Sequence, residues 1–120
     1  MEDIMSTYDK AHDLANALKH STEYREFMTV KQAIDTDEQA KKMIKEFIAK
    51  QMELEFEIMS GKPEDKNKTA QLHKMYEVLA LNTKARDFLQ AYMRFQRMMG
   101  DVYKIIGDAT AEGLDFIEKR

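Results

Sequence analysis

The 120-residue sequence contains no cysteine, one proline and four glycines. Without cysteine, the chain cannot form a disulfide framework, a thiolate metal site, a cysteine-ligated iron–sulfur cluster or a cysteine nucleophile. A reducing compartment, and therefore a cytoplasmic location, is the expectation. The scarcity of proline and glycine, together with abundant Ala, Leu, Met, Glu, Lys and Gln, favours helix over sheet because straight side chains lose little rotamer freedom there.

Long hydrophobic runs are also missing from the sequence. No apolar stretch reaches the length of about 18 residues that a spanning helix needs, and residues 1–7 lack a signal-peptide core. We therefore expect neither export nor membrane insertion. Hydrophobic residues make up 43% of the chain, enough for a core in a single helical domain over residues 1–120. A net charge of −3 disfavours nucleic acid as a partner, because it gives little long-range attraction for phosphate.

Apolar residues recur at intervals of three and four in five segments, which is the spacing that places side chains on one helix face. Helices one, two, three and five are predicted to begin near Ser6, Ser21, Thr36 and Thr83, and the last runs to Ile106 before Gly107. Pro63 can start helix four, and the stretch that follows it through Lys68 is either a solvated connection or a frayed first turn. Thr36 and Gln39 have capping-box spacing, and Asn82 can cap helix five. The tail from Asp108 leaves room for one further short helix.

An internal repeat relates helices two and three to helices four and five at an offset of 45 residues, as Ala40 and Ala85 illustrate. The shared pattern is Ala-[Lys/Arg]-x-[Met/Phe]-[Ile/Leu]-x-x-[Phe/Tyr]-[Ile/Met]-x-x-Gln. The sequence therefore predicts an all-α fold: an elongated bundle of about five helices, built from two related helical hairpins plus an N-terminal helix.

Several motifs occur in a fixed order along most of the chain. They are Tyr8-Asp9-x-Ala11-x-Asp13-Leu14-x-x-Ala17-Leu18-Lys19-x-Ser21-x-Glu23-Tyr24, Phe47 to Gln51, Met59-x-Gly61 and Lys104-Ile105-Ile106. This order resembles the YheA-like branch of the YlbF/YmcA family, small helical proteins of Gram-positive bacteria. That branch follows Lys-Ile-Ile with a proline-led helix, whereas residues 107–113 intervene here. The role of the tail is therefore left open by the resemblance.

The resemblance implies an all-helical fold that dimerises or assembles further. It also implies a relation to accessory regulators of competence, biofilm formation and sporulation, which are linked to a complex that affects a membrane-associated ribonuclease and messenger-RNA maturation. Iron–sulfur binding discussed for that complex does not transfer to a chain without cysteine. The family supplies no catalytic residue to carry over.

No residue constellation in the sequence favours catalysis, a metal or a cofactor. His12, His20 and His73 have no metal-ligand spacing, and each of the three serines lies at a helix boundary, where its hydroxyl can cap. Glu53 and Glu55 alternate on a helix, which turns successive members by about 200° and separates their carboxylates. A hydrolase that uses scattered carboxylates has no spacing in its favour, so we expect no enzyme activity.

Gln51 and Gln96 lie at the same position of the repeat, inside the main apolar arc of their helices. A buried amide needs partners for its donors and its acceptor. We predict a buried polar contact that fixes helix register, and a ligand-facing pair is the alternative.

Helix five carries more apolar residues than one face can hold. Phe95, Met98, Val102 and Ile105 lie beside the main apolar arc, and together the two sets cover roughly 240° of the helix. Unless helices one or three cover this second set, it would be exposed in a monomer. We predict that these four residues contact another chain, and the ten methionines suit such adaptable contacts.

The densest basic stretch is Lys41, Lys42, Lys45 and Lys50, but glutamates interleave with it and it lacks the aromatic residues that stack unpaired bases. A solvated helix face is favoured over an RNA-binding face. The leading hypothesis is a non-catalytic, homo-oligomeric regulatory or adaptor protein that acts through protein contacts. The alternative is a nucleic-acid-binding helical protein.

Overall fold

A computed structural model describes residues 5–118 of the chain and contains five helices and no strand in that range. The helices are α1 (Met5–Lys19), α2 (Thr22–Ile34), α3 (Glu38–Met59), α4 (Lys66–Ala80) and α5 (Thr83–Glu118). The all-α expectation is confirmed.

Four of these helices have a short polar side chain as their N-terminal cap. Ser21 and Asn82 cap α2 and α5 as predicted, since their side-chain oxygens accept from Tyr24 N and Ala85 N, each at 3.1 Å. At α3 the predicted capping residue is wrong: Asp37 rather than Thr36 accepts from the backbone amide of residue 40, at 3.0 Å. A carboxylate also complements the positive end of the helix dipole, which a threonine hydroxyl cannot do.

The break between α3 and α4 follows the local chemistry of the sequence. Gly61 has φ +96°, a left-handed conformation that glycine adopts without a Cβ penalty at a helix end. Asp65 then caps α4 by accepting from the amides of Asn67 and Lys68 at 3.0 and 3.3 Å. The helix therefore begins at Lys66, within the stretch between Pro63 and Lys68 that the sequence leaves open.

The core is built from equivalent positions of the internal repeat. Its buried members form three repeat pairs, Ile34 with Leu79, Ala40 with Ala85 and Ile44 with Leu89, together with Phe47. None of these residues is more than 4% exposed. The small alanines let the helix backbones approach closely, and the branched residues fill the space between them.

The two repeats pack against each other more than each packs within itself. α2 lies chiefly against α5, and α3 lies chiefly against α4. Exchanging α2 with α4 and α3 with α5 converts the first pair into the second, as expected for two related halves. The predicted relation between the hairpins appears in their packing.

The predicted end of helix five is wrong. α5 does not end at Gly107 but continues to Glu118 as a single 36-residue helix. A glycine inside a helix costs only about 1 kcal/mol relative to alanine and does not by itself end it. The three- and four-residue apolar spacing also continues beyond Gly107, through Ala109 to Phe116 and Ile117.

The molecule is elongated, with extents of 57 × 39 × 17 Å and a radius of gyration of 18.6 Å. A compact domain of this length has a radius of gyration of about 14 Å. The difference arises because α1 contacts only α2 among the described helices, and because the end of α5 extends past the core.

Candidate interaction surface

The C-terminal half of α5 carries many exposed apolar side chains. We call residues 100–118 the tail. Its exposed large apolar side chains are Tyr103 (67%), Ile105 (69%), Ile106 (50%), Leu114 (42%), Phe116 (78%) and Ile117 (66%). Single exposed apolar residues are normal in soluble proteins, whereas a contiguous patch commonly marks an interaction site.

Most apolar side chains of the tail lie on one side of the helix, with Tyr103 and Leu114 beside them. At 100° per residue, six positions fall within a sector about 120° wide, which we call the tail stripe. The tail stripe consists of Val102, Ile105, Ile106, Ala109, Phe116 and Ile117. Lys104 and Asp108 lie on the opposite side, where Lys104 Nζ donates to Asp108 Oδ2 at 2.8 Å. The tail is therefore amphipathic, and its apolar stripe is exposed except at Val102, which is half-buried.

The four residues that the sequence predicts as an interface differ in how far α2 covers them. Phe95 is half-buried and packs between Tyr24 and Phe27, with both ring centroids 5.4 Å from its own. The sequence suggests only helices one and three as covers for this region. The structure shows that α2 covers Phe95, so this ring is already largely partnered within the chain.

The other three predicted residues become more exposed along α5. Met98 and Val102 are half-buried, and Ile105 is exposed. Met98 lines a shallow depression with Glu23 and Asp101, where the N-terminus of α2 meets α5. Contact of these residues with another chain stays a prediction.

The two glutamines are not equivalent in the structure. Gln51 is half-buried, whereas Gln96 is exposed and donates through Nε2 to the hydroxyl oxygen of Tyr92 at 2.8 Å. Gln96 therefore departs from the expected burial, because α2 covers the Phe95 side of α5 and leaves the neighbouring side open. The role of the pair in helix register stays a prediction.

A second, partly exposed apolar stripe lies on α1. Tyr8 is 65% exposed, Ala11 and Ala15 are exposed, and Leu14 and Leu18 are half-buried. We call these five residues the α1 stripe. α1 makes no contact with α5.

Sequence reasoning missed a third apolar patch, at the end of α3. Met52, Phe56 and Met59 are 61%, 71% and 86% exposed. They lie one helical turn apart, on the side of α3 adjacent to its core-facing arc. That spacing was the available signal, but apolar periodicity alone does not distinguish a core face from an exposed one.

Positive charges on the surface lie next to negative ones. Lys41 and Lys50 pair with Glu38 and Glu53, both at 3.6 Å. Arg94 pairs with Glu26 at 3.4 Å across the groove between α2 and α5. These basic residues therefore do not form an uninterrupted positive stripe.

The connection from α3 to α4 holds the one resolved pKa shift among the described groups. Lys68 Nζ donates to Glu57 Oε2 at 2.6 Å, and this hydrogen bond is the main reason why the pKa of Lys68 is raised above its ordinary value of 10.5. The pair ties the end of α3 to the beginning of α4.

Within residues 5–118, no group of three or more histidine, aspartate or glutamate side chains is placed to hold a metal ion. In the same part of the chain, no helix combines the length and the apolar character that a membrane span requires.

Comparison with known proteins gives a match across most of the chain. Residues 7–110 match the family model described as "Control of competence regulator ComK, YlbF/YmcA". A UPF0342 protein of Symbiobacterium thermophilum is 40% identical over 109 residues, which cover 91% of this chain and 97% of that protein. A UPF0342 protein of Desulfitobacterium hafniense is 39% identical over 110 residues, covering 92% and 89% of the two chains. The predicted resemblance is confirmed for the family, and the YheA-like branch stays a prediction.

Of the tail, only residues 100–110 fall within the family match, so the match includes the first part of the tail stripe. By this match and by its relatives, the chain belongs to the YlbF/YmcA family.

Proposed function

We propose that this protein is a non-catalytic, homo-oligomeric regulatory or adaptor protein of the cytoplasm that acts through protein contacts. The observation that carries the proposal is the uncovered tail stripe on α5. The family is named for control of a competence regulator, which supports a regulatory role. Competence, biofilm formation, sporulation or messenger-RNA maturation are the processes that the family resemblance suggests.

The surface area of the chain supports burial against other chains. It exposes 9770 Å², whereas a compact monomer of 14.1 kDa exposes about 6,700 Å². The excess of about 3,000 Å² per chain exceeds the roughly 800 Å² that each partner contributes to a standard interface. The tail contributes exposed apolar side chains to this surface, among them Ile105 and Phe116.

Two substitutions on opposite sides of the tail test self-association. Ile106→Glu places a charge in the tail stripe and should raise the dissociation constant of the oligomer by more than about tenfold, equivalent to 1.4 kcal/mol. Lys104→Glu is the matched control: it also introduces a glutamate, but on the polar side, where an exposed ion pair contributes little. Light scattering over a dilution series measures both. Equal association of the two variants would contradict the proposal.

Nucleic-acid binding is the alternative function, and the paired surface cations argue against it. RNA and DNA titrations at two salt concentrations separate the two functions, because phosphate contacts make affinity fall steeply with salt. We expect no salt-dependent binding. Tight binding that weakens as salt rises would support the alternative.

The regulatory role has its own test in the host cell. If the tail stripe is the functional surface, a strain lacking the gene should regain its normal phenotype with Lys104→Glu but not with Ile106→Glu. Restoration of the normal phenotype by both variants would show that the cellular function does not require the tail stripe.

A further inference from the structure

α1 and the tail extend from the packed part of the molecule near the same point, and each carries a largely exposed apolar stripe. α1 joins α2 through residues 20–21, and Glu23 in the first turn of α2 lies with Arg97 and Asp101 of α5 around one depression. The tail begins at that point. The α1 stripe and the tail stripe therefore start close together, yet the two helices do not contact each other.

The turn between α1 and α2 fixes the direction of α1. Ser21 Oγ donates to Leu18 O at 2.7 Å and also accepts from Tyr24 N at 3.1 Å. One side chain thus satisfies backbone groups of both helices. These hydrogen bonds hold the short turn in a conformation in which α1 does not contact its own tail.

We propose that a second copy of the chain covers both stripes: α1 of one copy lies along the tail of the other, and the reverse contact forms by symmetry. The two α1 helices and the two tails then make a four-helix bundle between the packed bodies. This arrangement rests on the proposed self-association and specifies which segments meet.

The lengths of the two segments match. α1 has 15 residues, a length of about 22 Å, and the tail has 19 residues, a length of about 28 Å. One α1 can therefore cover most of one tail. Both partners carry small residues within their stripes, Ala11 and Ala15 on α1 and Ala109 on the tail, which allow close helix approach.

The charges favour α1 rather than a second tail as the neighbour of each tail. The tail carries five acidic residues and one lysine, whereas α1 carries two acidic residues and two lysines. Two adjacent tails would bring like charges together, which destabilises a helix pair. Placing a neutral α1 beside each tail separates the acidic helices.

Single cysteines give a direct test, because the chain contains none of its own. Ala11 is near the middle of α1 and Ala109 is near the middle of the tail, and both are exposed in the single chain. One chain carries Ala11→Cys, the other carries Ala109→Cys on a longer tag, and the mixture is treated with a short bismaleimide. We expect a crosslinked species that contains one chain of each kind.

Asp13→Cys provides the matched control, since two residues along a helix turn the side chain by about 200° to the opposite side of α1. Mixed with Ala109→Cys, it should yield several-fold less of the mixed species. If sedimentation shows a dimer but the Ala11 pair crosslinks no better than this control, the α1-to-tail arrangement is wrong and self-association stands. If the chains sediment as monomers, both proposals are wrong.

Discussion

This protein has a packed body (α2, α3, α4 and the first half of α5) and two arms (α1 and the tail). The two regions show how one kind of sequence pattern produces different surfaces. Residues of α2, α3, α4 and the first half of α5 bury the repeat pairs, whereas α1 and the tail have equally regular apolar stripes that remain uncovered. The difference is in partners and not in helix chemistry. The apolar side of an amphipathic helix indicates that another segment packs against it, but not whether that segment belongs to the same chain or to a second one.

The largest expected effect is the loss of stability when a core side chain of the body is truncated, and a similar truncation in one arm provides the comparison. Leu89 is completely buried, so Leu89→Ala should lower the free energy of unfolding by about 2–5 kcal/mol, through lost burial and a residual cavity. The loss should not depend on protein concentration. Urea unfolding at two concentrations measures it.

Phe116→Ala is the corresponding truncation in the tail, where the ring is 78% exposed. Its effect should act only through association, so the shift in Tm should shrink on dilution. A large, concentration-independent loss at Phe116 would place this residue in a core that the single chain lacks.

Two glycines offer a comparison of intermediate size. Gly107 lies inside α5, and an added Cβ meets nothing within 4 Å, so Gly107→Ala should stabilise the helix by about 0.5–1 kcal/mol. Gly61 has φ +96°, so Gly61→Ala should cost about 1–2 kcal/mol. Thermal unfolding with helicity as the signal measures both. If Gly107→Ala destabilises the chain, α5 is not continuous at that point.

The smallest expected effect concerns Lys68, in the body. Its pKa is higher in the folded chain than in the unfolded chain, so its contribution to stability is complete below the unfolded value near 10.5. That contribution is lost as pH rises through the folded value. Lys68→Gln should therefore be slightly less stable than the unchanged chain at neutral pH, and the two should converge once the pH exceeds the pKa of Lys68 in the folded chain. A difference that persists at high pH would assign the effect to packing.

Much of the body could be predicted from sequence because local chemistry determines it. Ser21 and Asn82 are caps that act within one turn, and Gly61 permits a left-handed helix end. The repeat also identified core positions, since Ala40 and Ala85 are both fully buried. These features depend on short-range or internally duplicated signals.

The arms could not be predicted in the same way, because their exposure depends on how helices distant in sequence pack. α2 covers Phe95, and Gln96 next to it stays exposed, a distinction that periodicity on α5 alone does not contain. Gly107 resembles a helix end in sequence but lies within α5, because glycine weakens a helix without stopping it.

Sedimentation equilibrium of the unmodified chain tests the central claim most directly. If a second copy covers the tail stripe, the mass at micromolar concentration should be near twice the chain mass of 14.1 kDa or higher, and should fall toward it on dilution. A mass of 14.1 kDa throughout the micromolar range would show that no second copy covers the tail, and would contradict self-association as the basis of function.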